Sequence, residues 1–287
     1  MDEQLSQARL DALRGAVDGR LGELLPDPGD APHRLHAAMR YALLAPGKRL
    51  RPILTLLTAA SLGVEEDRAL DPACAVEMIH AASLILDDLP CMDDADMRRG
   101  LPATHRRYGQ DVAILAAVAL LNHAFAVIGQ SPTFDPATSV KMVRALSSAV
   151  GLDGLVAGQE SDLRRENAVS FDALVLTNRR KTAVLFEAAV ELGAHAGGAS
   201  PAQVTLLRRF ALELGMAFQA IDDLDDQQSG EDDGVPTVAT FLGADGARAE
   251  ALERLDAARG ALRGGAGDWS TLDASVELLA ERVMVRP

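Results

Sequence analysis

Aromatic side chains are scarce in this chain: one Trp, two Tyr and seven Phe amount to 3% of its 287 residues. Surfaces that bind single-stranded nucleic acid stack bases on such rings, so that class of partner is excluded. Lysine is rarer still for a chain this long, with only Lys48, Lys141 and Lys181. With 28 basic against 42 acidic residues the formal charge is −14. Sequence-independent binding to a phosphate backbone needs a cationic surface that displaces counterions, so no nucleic acid is expected as a partner. Cys74 and Cys91 are the only thiols, which rules out a disulfide framework and a four-thiolate metal site. The longest apolar run, 112–121, is broken by Asn122 and His123 and is too short to span a bilayer, so no stable membrane insertion is expected. The opening "MDEQLSQARL" is acidic and lacks a basic segment followed by an apolar one. A soluble cytoplasmic protein is the default expectation.

What the chain does have is helical periodicity. Apolar residues recur at three- and four-residue spacing in 5–25, 35–45, 50–62, 72–88, 111–129, 137–163, 171–195, 201–228, 244–262 and 270–284. Asp71-Pro72 and Asp135-Pro136 read as an N-cap followed by Pro at the first helical position, where a missing N–H costs nothing. Ser200 and Gln203 have capping-box spacing. Gly and Pro cluster in "LPDPGDAP", "GQSPTFDP" and "GAHAGGASP", marking breaks. No alternating strand pattern of useful length and no repeat is visible. The reading is an all-α fold of about ten helices in one domain over 1–287. The segments 111–129 and 201–221 are apolar nearly all round and are expected to be central and buried.

Against that background, "LILDDLPCMDDADMRRG" (84–100) concentrates Asp87, Asp88, Asp93, Asp94 and Asp96 at the end of an apolar helix. "GMAFQAIDDLDD" (215–226) repeats the design with Asp222, Asp223, Asp225 and Asp226. On a helix, Asp222 and Asp226 share one face, and Pro90 forces a bend between Asp88 and Asp93. A single acidic run is ordinarily a solvated helix end. Two matched runs on apolar helices are different, because carboxylates crowded in a partly dry site raise one another's pKa unless a cation joins them. A hard ion such as Mg²⁺ takes one or two carboxylates together with substrate phosphates, and no EF-hand spacing is present. "GKRLRP" adds Lys48, Arg49 and Arg51, and Arg98 and Arg99 follow the first cluster, suggesting a separate anion site. His80 precedes Asp87 by seven residues, close to two helical turns, so both point the same way. Cys91 and Met92 read as packing residues.

"GKRLRP", "DDLPCMDDADMRRG", "KT" at 181–182 and "FQAIDDLDD" occur in the order and spacing of the trans-isoprenyl diphosphate synthases. The resemblance runs from about residue 35 to the C-terminus and is most like bacterial geranylgeranyl diphosphate synthases. It implies an all-α bundle around a deep cavity, usually a homodimer, that joins an allylic diphosphate to isopentenyl diphosphate. By that match Asp87, Asp88 and Asp93, with Asp222, Asp223 and Asp226, hold three Mg²⁺ ions and the allylic diphosphate. Arg98 is placed on that diphosphate. Lys48, Arg51, His80 and Arg99 take isopentenyl diphosphate, and Lys181, Thr182 and Gln219 line the reacting centre. The resemblance places chain-length control below Asp87, at Ala82 and Ser83 with Met78 a turn deeper. Small residues there imply a geranylgeranyl product. Leu86 and Ala95 depart from the commonest family pattern outside the ligand set. Val235 stands where relatives usually carry a lysine, and Arg248 is too far along to replace it. A farnesyl diphosphate synthase, a terpene cyclase and a non-catalytic partner subunit are the alternatives.

Overall fold

A computed structural model describes residues 7–27, 29–229, 236–265 and 267–284. Helices α1 (Gln7–Leu24), α2 (His33–Leu43), α3 (Leu50–Ser61) and α4 (Leu70–Asp87) lead to the first aspartate cluster. A two-residue hairpin, β1 (Met97–Arg98) and β2 (Leu101–Pro102), is followed by α5 (Thr104–Tyr108), α6 (Gln110–Gln130) and α7 (Pro136–Val150). Then come α8 (Leu155–Leu163), α9 (Phe171–Asn178), a π-helical turn Arg179–Ala183 and α10 (Val184–Ala196). The chain closes with α11 (Pro201–Ser229), α12 (Val238–Arg263) and α13 (Ser270–Met284). The all-α expectation holds, and the hairpin makes the only strands among the described residues.

The centre of the bundle is α4 and α10, with α3 and α11 against α10 and α6 against α4. Their facing residues are large and fully buried: Leu54, Leu56 and Leu57 on α3, Met78 and Ile79 on α4, Phe186 on α10 and Phe210 on α11. One apolar cluster connects Leu13 at one end of the chain to Val283 at the other. Each buried aliphatic or aromatic side chain contributes roughly 1.5–3 kcal/mol relative to exposure, so this cluster carries the fold. Helix α4 ends at Asp87, and α11 carries Asp222, Asp223, Asp225 and Asp226 in its last two turns.

Several boundaries differ from the sequence reading. The stretch 137–163 is two helices, because Gly151 (ψ −148°) and Gly154 (ψ −135°) leave helical geometry. The stretch 171–195 is interrupted by the π-helical turn. A short helical turn opens at Val238, where Thr237 and Thr240 form a reciprocal capping box, but Gly243 (φ 72°, ψ 169°) breaks it, so the long stretch of α12 starts at 244 as the periodicity predicts. Asp135 caps α7 as expected, accepting from the Ala137 and Thr138 N–H groups at 2.8 and 3.1 Å. Ser200 and Gln203 likewise pair reciprocally. Asp71 does not cap α4, which starts one residue earlier; its carboxylate accepts from Arg20 and Ser131 instead.

Helix α6 is not buried all round. Val112, Ala113, Ala116, Leu120 and Ala124 face the bundle, while Ile114, Leu115 (57% exposed) and Val118 face outward. By length and composition α6 and the segment 66–87 could each cross a bilayer, which the short run 112–121 had not suggested. Segment 66–87 is two-thirds buried inside the bundle, as a core helix of a water-soluble fold would be.

Candidate active site

The basic pocket is built where α3 and α4 pass each other below the hairpin. Arg49 takes a left-handed backbone conformation (φ 49°) at the start of α3, turning its side chain inward. There its guanidinium donates to Glu77 (2.8 Å), Asp18 (2.7 Å) and the carbonyls of Leu43 and Ala45. Arg51, the second residue of α3, lies 4.7 Å from the Phe186 ring and 3.5 Å from His80 Nε2. Arg99 approaches the same Nε2 at 3.4 Å and Glu77 at 3.9 Å. Burial, reinforced by Arg51, Arg99 and Arg49, pushes His80 well below its ordinary range. His80 is therefore neutral, and its Nε2 accepts from two arginines. Burial also lowers Arg51, to about 10, although Glu77 and Asp222 pull it upward. Lys48 is exposed, 6.0 Å from the Phe218 ring.

The hairpin sorts the two arginines. Arg99 (φ 53°) and Gly100 (φ 76°) form the two-residue turn between Arg98 and Leu101, with the positive φ pair that a tight hairpin requires. Arg98, the strand residue beside it, donates to Asp88 Oδ1 from Nε (2.9 Å) and Nη2 (2.5 Å). Arg98 thus lies against the acidic cluster and Arg99 in the basic pocket.

Not all five aspartates of the first cluster belong together. Arg106 on α5 binds Asp94 at 3.2 Å and Asp96 at 2.7 Å on the outer surface. That leaves Asp87, Asp88 and Asp93. Burial raises Asp87 to about 6, with Asp93 and Asp88 adding and Lys181 and Arg98 opposing. Burial and the neighbouring Asp162 and Asp88 raise Asp93 as well, against the same two cations. Carboxyls held this way gain most from a cation that ionises them.

The opposite wall is α11. Gln219 links its residues to the π-helical turn: Thr182 donates to Gln219 Oε1 at 2.6 Å, and Gln219 donates to Asp223 Oδ1 at 2.7 Å. Asp223 Oδ2 accepts from the Val238 N–H at 2.8 Å, so this buried carboxylate also anchors the start of α12. Asp222 neighbours it and acts on Arg51 across the site. The side chain of Asp226, and Val235, lie outside the described residues. Among the described residues no three acidic, His or Cys side chains converge on one ion, so a divalent ion here needs oxygens from a bound substrate. The donor set fits Mg²⁺, which takes few carboxylates and completes its shell with phosphate.

The π-helical turn aims Lys181 inward, where its ammonium is held by Asp162 of α8. Burial alone would depress Lys181; Asp162, Asp87 and Asp93 outweigh it and raise it. Two glycines let neighbours close on this turn. A Cβ at Gly158 of α8 would lie 2.7 Å from the Lys181 nitrogen, and one at Gly215 of α11 2.8 Å from the Ala183 Cα. Gly158→Ala is therefore expected to lower stability by about 1–3 kcal/mol, read as a lower urea midpoint, because backbone must shift.

Sequence reasoning missed Glu77, Asp162 and Gln159. A lone carboxylate in the apolar stretch of α4 was the available signal for Glu77, since buried Glu is almost always paired. Gln159, next to Gly158 on α8, has both polar side-chain atoms buried with no hydrogen-bond partner among the described residues. Cys91, expected to pack, is exposed, while Met92 does pack on the core. Ala82 and Met78 are buried below Asp87, and half-buried Ser83 donates to the His80 carbonyl.

Two acidic helix ends and a basic pocket on one bundle agree with the comparison to known proteins, in which residues 32–235 match the polyprenyl synthetase family. The chain belongs to that family. This polyprenyl synthetase is 47% identical over 248 residues to a geranylgeranyl diphosphate synthase of Pantoea ananas, spanning 83% of this chain and 82% of the relative. It is 42% identical over 259 residues to the geranylgeranyl diphosphate synthase of Pseudescherichia vulneris, spanning 87% and 84%. Its fold matches the apo structure of an FPP/GFPP synthase from Zymomonas mobilis with a TM-score of 0.87 at 33% identity, over 96% and 98% of the chains.

Proposed function

We propose that this polyprenyl synthetase condenses isopentenyl diphosphate with an allylic diphosphate, head to tail and all-trans, to give geranylgeranyl diphosphate. The observation that carries the reading is the division of one site into two anion environments. One is acidic, around Asp87, Asp93 and Asp222, and needs a metal to hold a diphosphate. The other, around Arg51, His80 and Arg99, is basic and binds one directly. A terpene cyclase has no use for the second. A non-catalytic subunit has no use for the first.

Asp87, Asp88 and Asp93 with Asp222, Asp223 and Asp226 would hold Mg²⁺, three ions once the diphosphate is present. Mg²⁺, when bound, neutralises charge building on the departing diphosphate. Arg98 adds a fixed positive group beside Asp88, and Lys181 another beside Asp87 and Asp93. The allylic C–O bond breaks with its electron pair leaving on the diphosphate. The isopentenyl double bond supplies the pair for the new C–C bond, and loss of a proton to the released diphosphate restores a double bond. Thr182 and Gln219, locked to each other, line the reacting centre without offering water.

The small side chains of Ala82 and Ser83 leave room for a growing tail, with Met78 deeper on the same helix. Ala82→Phe is expected to shorten the main product by at least one isoprene unit, with turnover kept within about tenfold. Mass analysis of dephosphorylated products checks it, and an unchanged product disproves this pocket. The outward stripe of Ile114, Leu115 and Val118 supports a homodimer. Incubation with Mg²⁺, isopentenyl diphosphate and dimethylallyl, geranyl or farnesyl diphosphate tests the whole reading. Linear prenols uphold it; cyclic hydrocarbons, or no turnover with any primer, overturn it.

A further inference from the structure

A groove outside the aspartate site lies between α7, α9, α10 and α11 and has a cavity volume of about 770 Å³. None of the aspartates of either cluster lines it. Five basic side chains do, against three acidic ones, in a chain where acids outnumber bases by 42 to 28. Two of the three acids are already engaged: Arg208 pairs with Glu187 at 3.4 Å and Glu191 at 3.5 Å, and His195 lies 3.6 Å from Glu191. Lys141, Arg144, Arg179 and Arg180 have no ion-pair partner within 4 Å among the described residues. Cations gathered in one concave site repel one another, although Arg179 has a longer-range partner in Glu187, and an anion seated among them removes that repulsion. Arginine forks match phosphate oxygens two at a time. The same groove offers apolar wall from Leu176, Val184 and Val204.

We propose that this groove is a second diphosphate site, separate from the aspartate clusters. The choice of diphosphate over another multiply charged phosphate rests on the transferase reading. The occupant is either inorganic diphosphate, which the condensation releases, or the diphosphate head of a prenyl chain lying on the apolar wall. Arg179 and Arg180 immediately precede Lys181 in the π-helical turn, so an occupant touches the segment that carries Lys181 into the catalytic side.

Calorimetric titration in EDTA tests the site without any turnover. EDTA removes metal-dependent binding, and Lys48→Gln/Arg99→Gln weakens the basic pocket. In that background one inorganic diphosphate per chain is expected to bind still. Adding Lys141→Gln/Arg144→Gln/Arg179→Gln, all at exposed positions, is expected to weaken it at least about tenfold, with an unchanged melting temperature. Arg144→Glu alone should act in the same direction. A farnesyl thiodiphosphate titration separates the sources: tighter binding than inorganic diphosphate assigns the groove to a prenylated ligand, equal binding to the inorganic one. No binding in the Lys48→Gln/Arg99→Gln background, or less than tenfold weakening in the groove variant, overturns the proposal. Because heat is measured, a failed groove leaves the transferase assay untouched, and a failed assay leaves the heat.

Discussion

Asp87→Asn and Asp222→Asn are each expected to lower kcat by about 10²–10³, with the fold intact. Each substitution removes a full negative charge from a wall that has to bring metal and diphosphate together, and keeps the side chain's shape. In Asp87 the change costs the folded state little, because burial already raises that carboxyl to about 6. Its deprotonation at neutral pH is a cost the fold bears without benefit until a cation arrives. The melting temperature of Asp87→Asn should therefore hold or rise while activity collapses. The Mg²⁺ concentration for half-maximal rate should rise, and the KM for isopentenyl diphosphate, bound on the other side, should stay within about twofold. Steady-state kinetics with Mg²⁺ titration separate these quantities. A kcat within threefold of wild type in both variants would remove Asp87 and Asp222 from the metal set. Asp88→Asn is the instructive contrast, since Asp88 is buried beneath Arg98 and its loss should cost stability as well as rate.

Glu77→Ala has the largest expected effect on the fold. The Arg49 and Glu77 side chains are 1% and 3% exposed and bond at 2.8 Å. Removing one partner of a buried pair strands the other charge and costs about 3–5 kcal/mol. For a chain of this length that is a fall in melting temperature of roughly 10 °C. Asp18 bonds the same guanidinium but is 45% exposed, so Asp18→Ala should cost no more than about 1 kcal/mol. The double variant Glu77→Met/Arg49→Met should regain most of what Glu77→Ala loses, because a well-filled apolar pair avoids the desolvation both ions suffer. Calorimetry on the four proteins decides it. If Glu77→Ala melts within 2 °C of wild type, Glu77 is not the counter-ion of this pocket.

The helical architecture was legible because its signals are local. Spacing of apolar residues, a Pro at a first turn and a Ser-x-x-Gln box act within one or two turns of chain. What escaped depends on partners far apart in sequence. Asp162 finds Lys181 only because Gly158 lets α8 lie on the π-helical turn, and nothing in "GQESD" announces that meeting. Glu77 is meaningful only beside Arg49, 28 residues away. The outward face of α6 was misjudged for a related reason: an apolar helix can be covered by its own bundle or left for another molecule, and periodicity does not distinguish the two. Of the five aspartates at the end of α4, the family resemblance singled out Asp87, Asp88 and Asp93, but sequence alone gave no sign that Arg106 draws Asp94 and Asp96 aside.

The turn at Arg99-Gly100 has a consequence for how such enzymes can vary. Neighbouring guanidiniums leave the ribbon in different directions, Arg98 to Asp88 and Arg99 to His80, because the bend falls between Arg98 and Leu101. Adding or deleting a single residue at that bend would exchange their destinations, handing the metal-side cation to the metal-free pocket and the reverse. The length of this bend therefore matters as much as the identity of its two arginines, and a one-residue insertion or deletion there should abolish turnover even with both arginines kept.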